Sequence, residues 1–197
     1  MKFNNRPNKK VIEHLTGDVY WYSRSVAVNG VIIIFLPGHK TPYVLVSRRG
    51  PNAADYQGKL NLVAGYLDWD ETGTQALYRE AWEEVGFDLE SFAFPKEGDA
   101  SWYDLASNDL LNPWQVKTNP DNSDNQNVSL RYGFICELKE SKFPELTLDH
   151  NEVEGEVSEA WWMPVNEINK YEWAFNHDQV IKDYLARNNL LSHVFET

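Results

Sequence analysis

Residues 65–87, GYLDWDETGTQALYREAWEEVGF, constrain this chain more than any other stretch. On an α-helix at about 100° per residue, Glu80, Glu83 and Glu84 share one arc, while Leu77, Tyr78, Ala81, Trp82 and Val85 fall on the other side. The spacing predicts a helix with one packing face and one acidic face. Like charges at this spacing destabilise a helix by about 0.2–0.5 kcal/mol per pair, so something has to offset them. A hard divalent cation does so through carboxylate oxygens, which suit Mg2+ or Mn2+ and can be bridged to substrate phosphates. A solvated acidic face is the plainer alternative. Thr72 or Thr74 is placed to cap the helix start, and Gly86 to end it in a left-handed turn. Gly65 opens the preceding loop, where a missing side chain lets backbone approach a ligand.

This stretch resembles the Nudix box, G-x5-E-x7-R-E-U-x-E-E-x-G-U, at Gly65, Glu71, Arg79, Glu80, Glu83, Glu84 and Gly86, with Ala81 and Phe87 in the two hydrophobic positions. The resemblance implies an α/β fold of the α+β kind, an α/β/α sandwich with a mixed β-sheet, and hydrolysis of a phosphoric anhydride. It implies that Glu80, Glu83 and Glu84 hold Mg2+ or Mn2+, helped by a backbone carbonyl near Ala64 or Gly65. Arg79 points away from the ligands' centre by helical arithmetic, and the resemblance pairs it with Glu71, orienting the loop against the helix. A further glutamate precedes a tryptophan in similar proteins. Counting back from Trp162 selects Glu156, with Glu152, Glu154 and Glu159 close enough to compete. Either Glu80 or Glu156 is then the base that takes a proton from the attacking water. Tyr66 stands where many relatives carry a second glycine, and with Trp69 it either presents an aromatic surface to a nucleobase or packs on the sheet.

The remaining segments read as one domain over residues 18–197, preceded by an arm at 1–17 and carrying an insertion around 95–127. Apolar runs at 31–36 and 128–138 are expected as strands, the first buried and central, and YVLVSRR as the strand that follows it through a hairpin. Arg48 and Arg49 end that strand, where they either clamp phosphate oxygens or stand in solvent. A short helical turn is expected around Ser107–Leu111, a loop at 120–127, and a closing helix from about Asp178 to Arg187 whose apolar side carries Val180, Ile181, Tyr184 and Leu185.

A formal net charge of −12 argues against a nucleic-acid polymer as partner. The single cysteine, Cys136, cannot make an internal disulfide and suits a reducing cytoplasm. The run VIIIFL is too short to span a bilayer, so no membrane is expected as partner. The histidines lack zinc spacing, and neither a G-x-S-x-G elbow nor a P-loop is present. The expected substrate is a small nucleotide-derived diphosphate: ADP-ribose or another nucleotide sugar first, then nucleoside triphosphates or dinucleoside polyphosphates. Tyr103 resembles the tyrosine that marks the last class. The alternative from another class is a non-catalytic sensor of a nucleotide metabolite on the same fold. Isomerisation of an isoprenoid diphosphate would want a catalytic cysteine, which Cys136 is poorly placed to supply. The aromatic content fits a homodimer interface.

Overall fold

Alternating β-branched and aromatic residues set the framework. The protein, seen in a computed structural model, is described at residues 9–22, 25–96, 103–118, 127–151 and 154–195. Its strands are β1 (Lys9–Ile12), β2 (Val19–Tyr22), β3 (Ser25–Phe35), β4 (Tyr43–Arg49), β5 (Leu60–Asn61), β6 (Val63–Tyr66), β7 (Tyr103–Asn108), β8 (Gln115–Thr118), β9 (Asn127–Leu138) and β10 (Val157–Pro164). The helices are α1 (Gly73–Val85), α2 (Leu89–Ala93) and α3 (His177–Arg187).

Eight strands form one mixed sheet in the order β10-β4-β3-β9-β7, with β5 added to β4, β6 to β3 and β8 to β9. β3 and β9 run parallel, and the other pairings are antiparallel. Because side chains alternate across a strand, Val28, Ile32 and Ile34 of β3 join a core with Leu77, Ala81 and Val85 of α1. Val31 and Ile33 join a second core with Val180, Ile181 and Leu185 of α3. Helices therefore cover both faces of the sheet, and each fully buried aliphatic side chain contributes about 1.5–3 kcal/mol. This is the mixed α+β sandwich expected from the sequence.

The helix carrying the acidic face is held at both ends. The Thr72 hydroxyl accepts from the Gln75 backbone N–H, and the Gln75 side chain accepts from the Thr72 N–H, a reciprocal capping box. Gly86 ends the helix at φ 63°, a conformation that costs a residue with a Cβ far more than glycine.

Several segments differ from the sequence reading. Residues 9–17 are the first strand and turn of a ribbon in which β1 pairs with β2, so strand pairing crosses the boundary expected at residue 18. Residues 1–8 of that arm lie outside the described residues, as do 120–126 of the expected loop and 97–102 of the insertion. No helical turn forms at Ser107–Leu111. Ser107 and Asn108 continue β7 against β9, because the cross-strand bonds to Ile135 and Phe134 take priority over local turn chemistry. Trp82 is not a core residue: it is 45% exposed and stacks on His150 at 4.1 Å between ring centroids. Among the described residues no helix is long and apolar enough to cross a membrane.

Candidate active site

α1 lies beside β6, and this brings the acidic face against Gly65, which is paired within that strand rather than opening the loop as the sequence suggested. The resulting hollow, of about 320 Å3, is lined by Gly65, Arg79, Glu80, Glu83, Glu84 and Glu156 among others. The register that selects Glu156 is the one that reaches the site. Glu154 is exposed and Glu159 is bonded to Arg48, while Glu152 lies outside the described residues.

Gly65 has no room for a side chain, since a Cβ built there would fall inside the Glu80 carboxylate. The Glu84 carboxylate accepts from the Ala64 backbone N–H at 3.2 Å, tying helix to strand. Burial pushes Glu80 up to about 7, with the Arg79 charge and hydrogen bond opposing it and the nearby Glu83 and Glu156 charges adding to it. Burial also raises Glu84 well above the ordinary glutamate range, reinforced by the charge on Glu80 and opposed by the Ala64 N–H and by Arg49. Packing has therefore placed acids where ionisation is costly, which is the electrostatic condition for recruiting a positive charge.

Arg79 does not point away from these acids. Its guanidinium folds back: Nη1 donates to Glu80 at 2.8 Å and Glu83 at 2.9 Å, while Nη2 and Nε donate to Glu71 at 2.8 and 3.1 Å. Nη2 also donates to the Tyr66 carbonyl at 3.0 Å, so one side chain ties the loop to the helix. Helical angles place the Cβ, but a long arginine side chain sweeps back to the i+4 carboxylate. The Arg79 hydrogen bond is the main reason the Glu71 carboxyl lies below its ordinary value. Among the described residues no three acidic, imidazole or thiol side chains converge at metal-holding spacing. The guanidinium itself holds Glu80 and Glu83.

A larger cavity, of about 680 Å3, opens from the hollow and shares Ala64, Gly65, Tyr66 and Glu156 with it. Its walls include Asn29, Arg49, Lys117, Arg131, Phe175 and His177. Of the two strand-end arginines, Arg49 reaches this cavity and Arg48 does not. Arg49 is buried, donates to Asp55 at 2.8 Å and lies 5.3 Å from the Phe175 ring centroid. Arg48 is held by Glu159 and the Gly58 carbonyl and lies over Trp161. Tyr66 and Trp69 do not pack on the sheet, being 56% and 96% exposed, and Tyr66 stands at the shared rim.

Several residues here were not singled out by sequence reasoning. Asn29 interrupts an apolar strand, and Arg131 sits between Leu130 and Tyr132; a polar side chain at an inward strand position was the available signal. His177 and Phe175 carried none. His177 accepts the Leu62 N–H on Nδ1 at 3.0 Å, so its proton sits on Nε2. Burial first, then Arg131 and Arg49, push the imidazole down to about 3.

A family model described as NUDIX domain matches residues 26–184. No curated protein shows significant sequence similarity to the chain. Among solved structures, the chain is similar to the NUDIX domain of Shewanella oneidensis NrtR complexed with ADP ribose, at 17% identity, covering 84% of this chain and 88% of that one with a TM-score of 0.57. It is similar to the Nudix hydrolase RenU of M. smegmatis at 17% identity, covering 91% and 95% of the two chains, TM-score 0.53. A third similar structure is the bifunctional NMN adenylyltransferase/ADP ribose pyrophosphatase of Francisella tularensis complexed with AMP and a Mn ion, at 20% identity over 84% of this chain and 42% of that one, TM-score 0.62. At these identities the likeness is one of fold. The matched family model spans most of the sequence and includes every box residue, and the chain belongs to the NUDIX domain family.

Proposed function

We propose that this Nudix hydrolase cleaves the pyrophosphate bond of a nucleoside diphosphate linked to another group, with ADP-ribose or another nucleotide sugar ahead of nucleoside triphosphates and dinucleoside polyphosphates. The observation that carries this reading is the shared wall: the acidic hollow opens through Gly65, Tyr66 and Glu156 into a cavity large enough for a nucleotide. The NrtR domain with ADP ribose and the Francisella enzyme with AMP and a Mn ion support a nucleotide-derived substrate.

The donor set fits Mg2+ or Mn2+. Glu80, Glu83 and Glu84 offer only hard oxygens, and burial makes ionisation of Glu80 and Glu84 costly, a cost that a cation would offset. What such a cation supplies is neutralisation of phosphate charge and a more acidic water. The chain's own residues do the rest. Glu80, Glu83 and Glu84 would hold the cation, with a backbone carbonyl of Gly65 available beside them. Arg79 bonds to Glu71 and to the Tyr66 carbonyl and so fixes the loop that follows Gly65 against the helix. Glu156 lines both spaces and accepts the proton of the attacking water. Arg49, at the cavity end of its strand, neutralises phosphate oxygens next to Glu84.

A phosphate-coupled screen with alkaline phosphatase, run with Mg2+ or Mn2+ on a nucleotide panel, tests the proposal. Cleavage of one substrate class by the wild type, reduced about 100-fold or more in Glu83→Gln and Glu84→Gln, is the expected result. Absence of turnover across the panel together with tight nucleotide binding would replace the hydrolase with a sensor.

A further inference from the structure

The floor of the larger cavity carries two buried polar atoms with no hydrogen-bond partner among the described residues, Asn29 Oδ1 and Arg131 Nε. Both residues are more than nine-tenths buried, at 4% and 8% exposure, and both line the cavity. They are neighbours by register: Asn29 is opposite Ala64 on β6 and opposite Arg131 on β9, and Arg131 is opposite Gln115 on β8. Side chains in one such row project from the same face of the sheet.

Of their other groups, Asn29 Nδ2 and Arg131 Nη1 are already committed. Asn29 Nδ2 donates to Ser129 Oγ at 2.8 Å. Arg131 Nη1 donates to Gln115 Oε1 and lies 3.8 Å from Asp183. What is left buried without a partner is one acceptor beside one donor. Leaving either unmade in a buried site is costly, so the pair calls for a ligand edge that offers a donor beside an acceptor. A phosphate or carboxylate offers acceptors only and would leave Asn29 Oδ1 unpaired.

Distance selects the part of the ligand. With strands about 4.8 Å apart, Arg131 lies two strands, about 10 Å, from the strand of Ala64 and Gly65. The span from the phosphorus of a nucleotide to the outer edge of its base is of the same order. Phe175 adds an aromatic wall from a left-handed backbone position, φ 54°, which a bulky residue adopts only when the surroundings hold it there.

We propose that Asn29 and Arg131 read the edge of the substrate's nucleobase, and that the base they select is adenine. Adenine sets its amino donor beside a ring acceptor at N7, whereas the corresponding edge of guanine carries two acceptors. The amino group donates to Asn29 Oδ1, and the ring nitrogen accepts from Arg131 Nε. This assignment rests on the nucleotide reading above and adds the residues that set base specificity.

The test is calorimetric binding of AMP, IMP and ribose 5-phosphate in Mg2+ buffer to the wild type, Asn29→Ala and Arg131→Lys. IMP replaces the amino donor with a carbonyl oxygen, and ribose 5-phosphate lacks the base. The wild type is expected to bind AMP about 5- to 10-fold more tightly than IMP, as one buried hydrogen bond implies. Both variants should bring that ratio close to one while leaving ribose 5-phosphate affinity unchanged. Arg131→Lys keeps the charge, so its circular dichroism and melting curve confirm that the fold survives should Asn29→Ala fail to fold. A wild-type ratio near one, a ratio preserved in the folded variants, or an equal loss of ribose 5-phosphate affinity would overturn the assignment alone. Binding of none of the three ligands by the folded wild type would overturn the nucleotide reading with it.

Discussion

Replacing Glu80 with glutamine should make the metal-free protein more stable while disabling the site. The Glu80 carboxyl is raised from the ordinary 4.5 to about 7, mainly by burial, and its side chain is only 13% exposed. At about 1.4 kcal/mol per tenfold change in proton affinity, that rise means ionised Glu80 costs the fold about 3 kcal/mol. Because the folded value is the higher one, the contribution of the protonated acid is fully present below pH 4.5 and is lost as pH rises through 7. Glutamine keeps the shape and an oxygen for Arg79 but carries no charge to desolvate. The opposing charge and hydrogen bond of Arg79 are already contained in that shifted value, so nothing further is subtracted for them. The gain at pH 8 is therefore about 3 kcal/mol, or about 6–12 °C in Tm for a chain of this size. Thermal melts of both proteins in EDTA at pH 4.5, 6, 7 and 8 measure the difference directly. The gap should be near zero at the acid end, open between pH 4.5 and 7, and level off above. Adding Mg2+ should raise the wild-type Tm in proportion to ligand binding and leave Glu80→Gln almost unmoved. A variant equally stable or less stable at pH 8, or a gap that does not change with pH, would refute the reasoning.

Two further outcomes follow from the same geometry. Gly65→Ala places a methyl group inside the Glu80 carboxylate, so kcat is expected to fall about 100-fold or more with the melting temperature lowered by only a few degrees; wild-type turnover would show that Glu80 need not stay where it is. His177 is held neutral, its value lowered from 6.5 to about 3. Its contribution is therefore present above pH 6.5 and is lost as pH falls towards 3, and urea unfolding should show His177→Asn less stable at pH 7 yet shallower in its loss between pH 6.5 and 4 than the wild type. Parallel pH profiles would count against the buried neutral imidazole.

The box was legible because its chemistry is local. One helix carries Glu80, Glu83 and Glu84 in one arc and ends at Gly86, short-range features that spacing alone placed, while the start was narrowed to Thr72 or Thr74 and the structure selects Thr72. Glu156 was reachable only by counting from Trp162, and what brings it close to Glu80 and Glu84 is where β10 begins in the sheet. Arg79 was misdirected by helical arithmetic because that arithmetic locates a Cβ, whereas four methylene-length bonds and the pull of Glu83 decide where the guanidinium goes. Arg48 and Arg49 were indistinguishable in the string and part company only through Glu159 on one side and Asp55 on the other.

By itself, then, the sequence determined the acidic helix, its caps, the buried central strands and the family. All of these depend on periodicities of two or 3.6 residues and on motif spacing within a few turns of chain. Only the tertiary structure decided what surrounds the acids and what lines the neighbouring cavity. Asn29, Arg131 and His177 are far apart along the chain and meet because β3 pairs with β9 in parallel and α3 packs over both. Parallel pairing and helix docking are non-local choices, made by the burial of two apolar faces at once. No spacing rule carries that information, because the groups that will share a cavity are chosen by strand order and not by their separation in sequence.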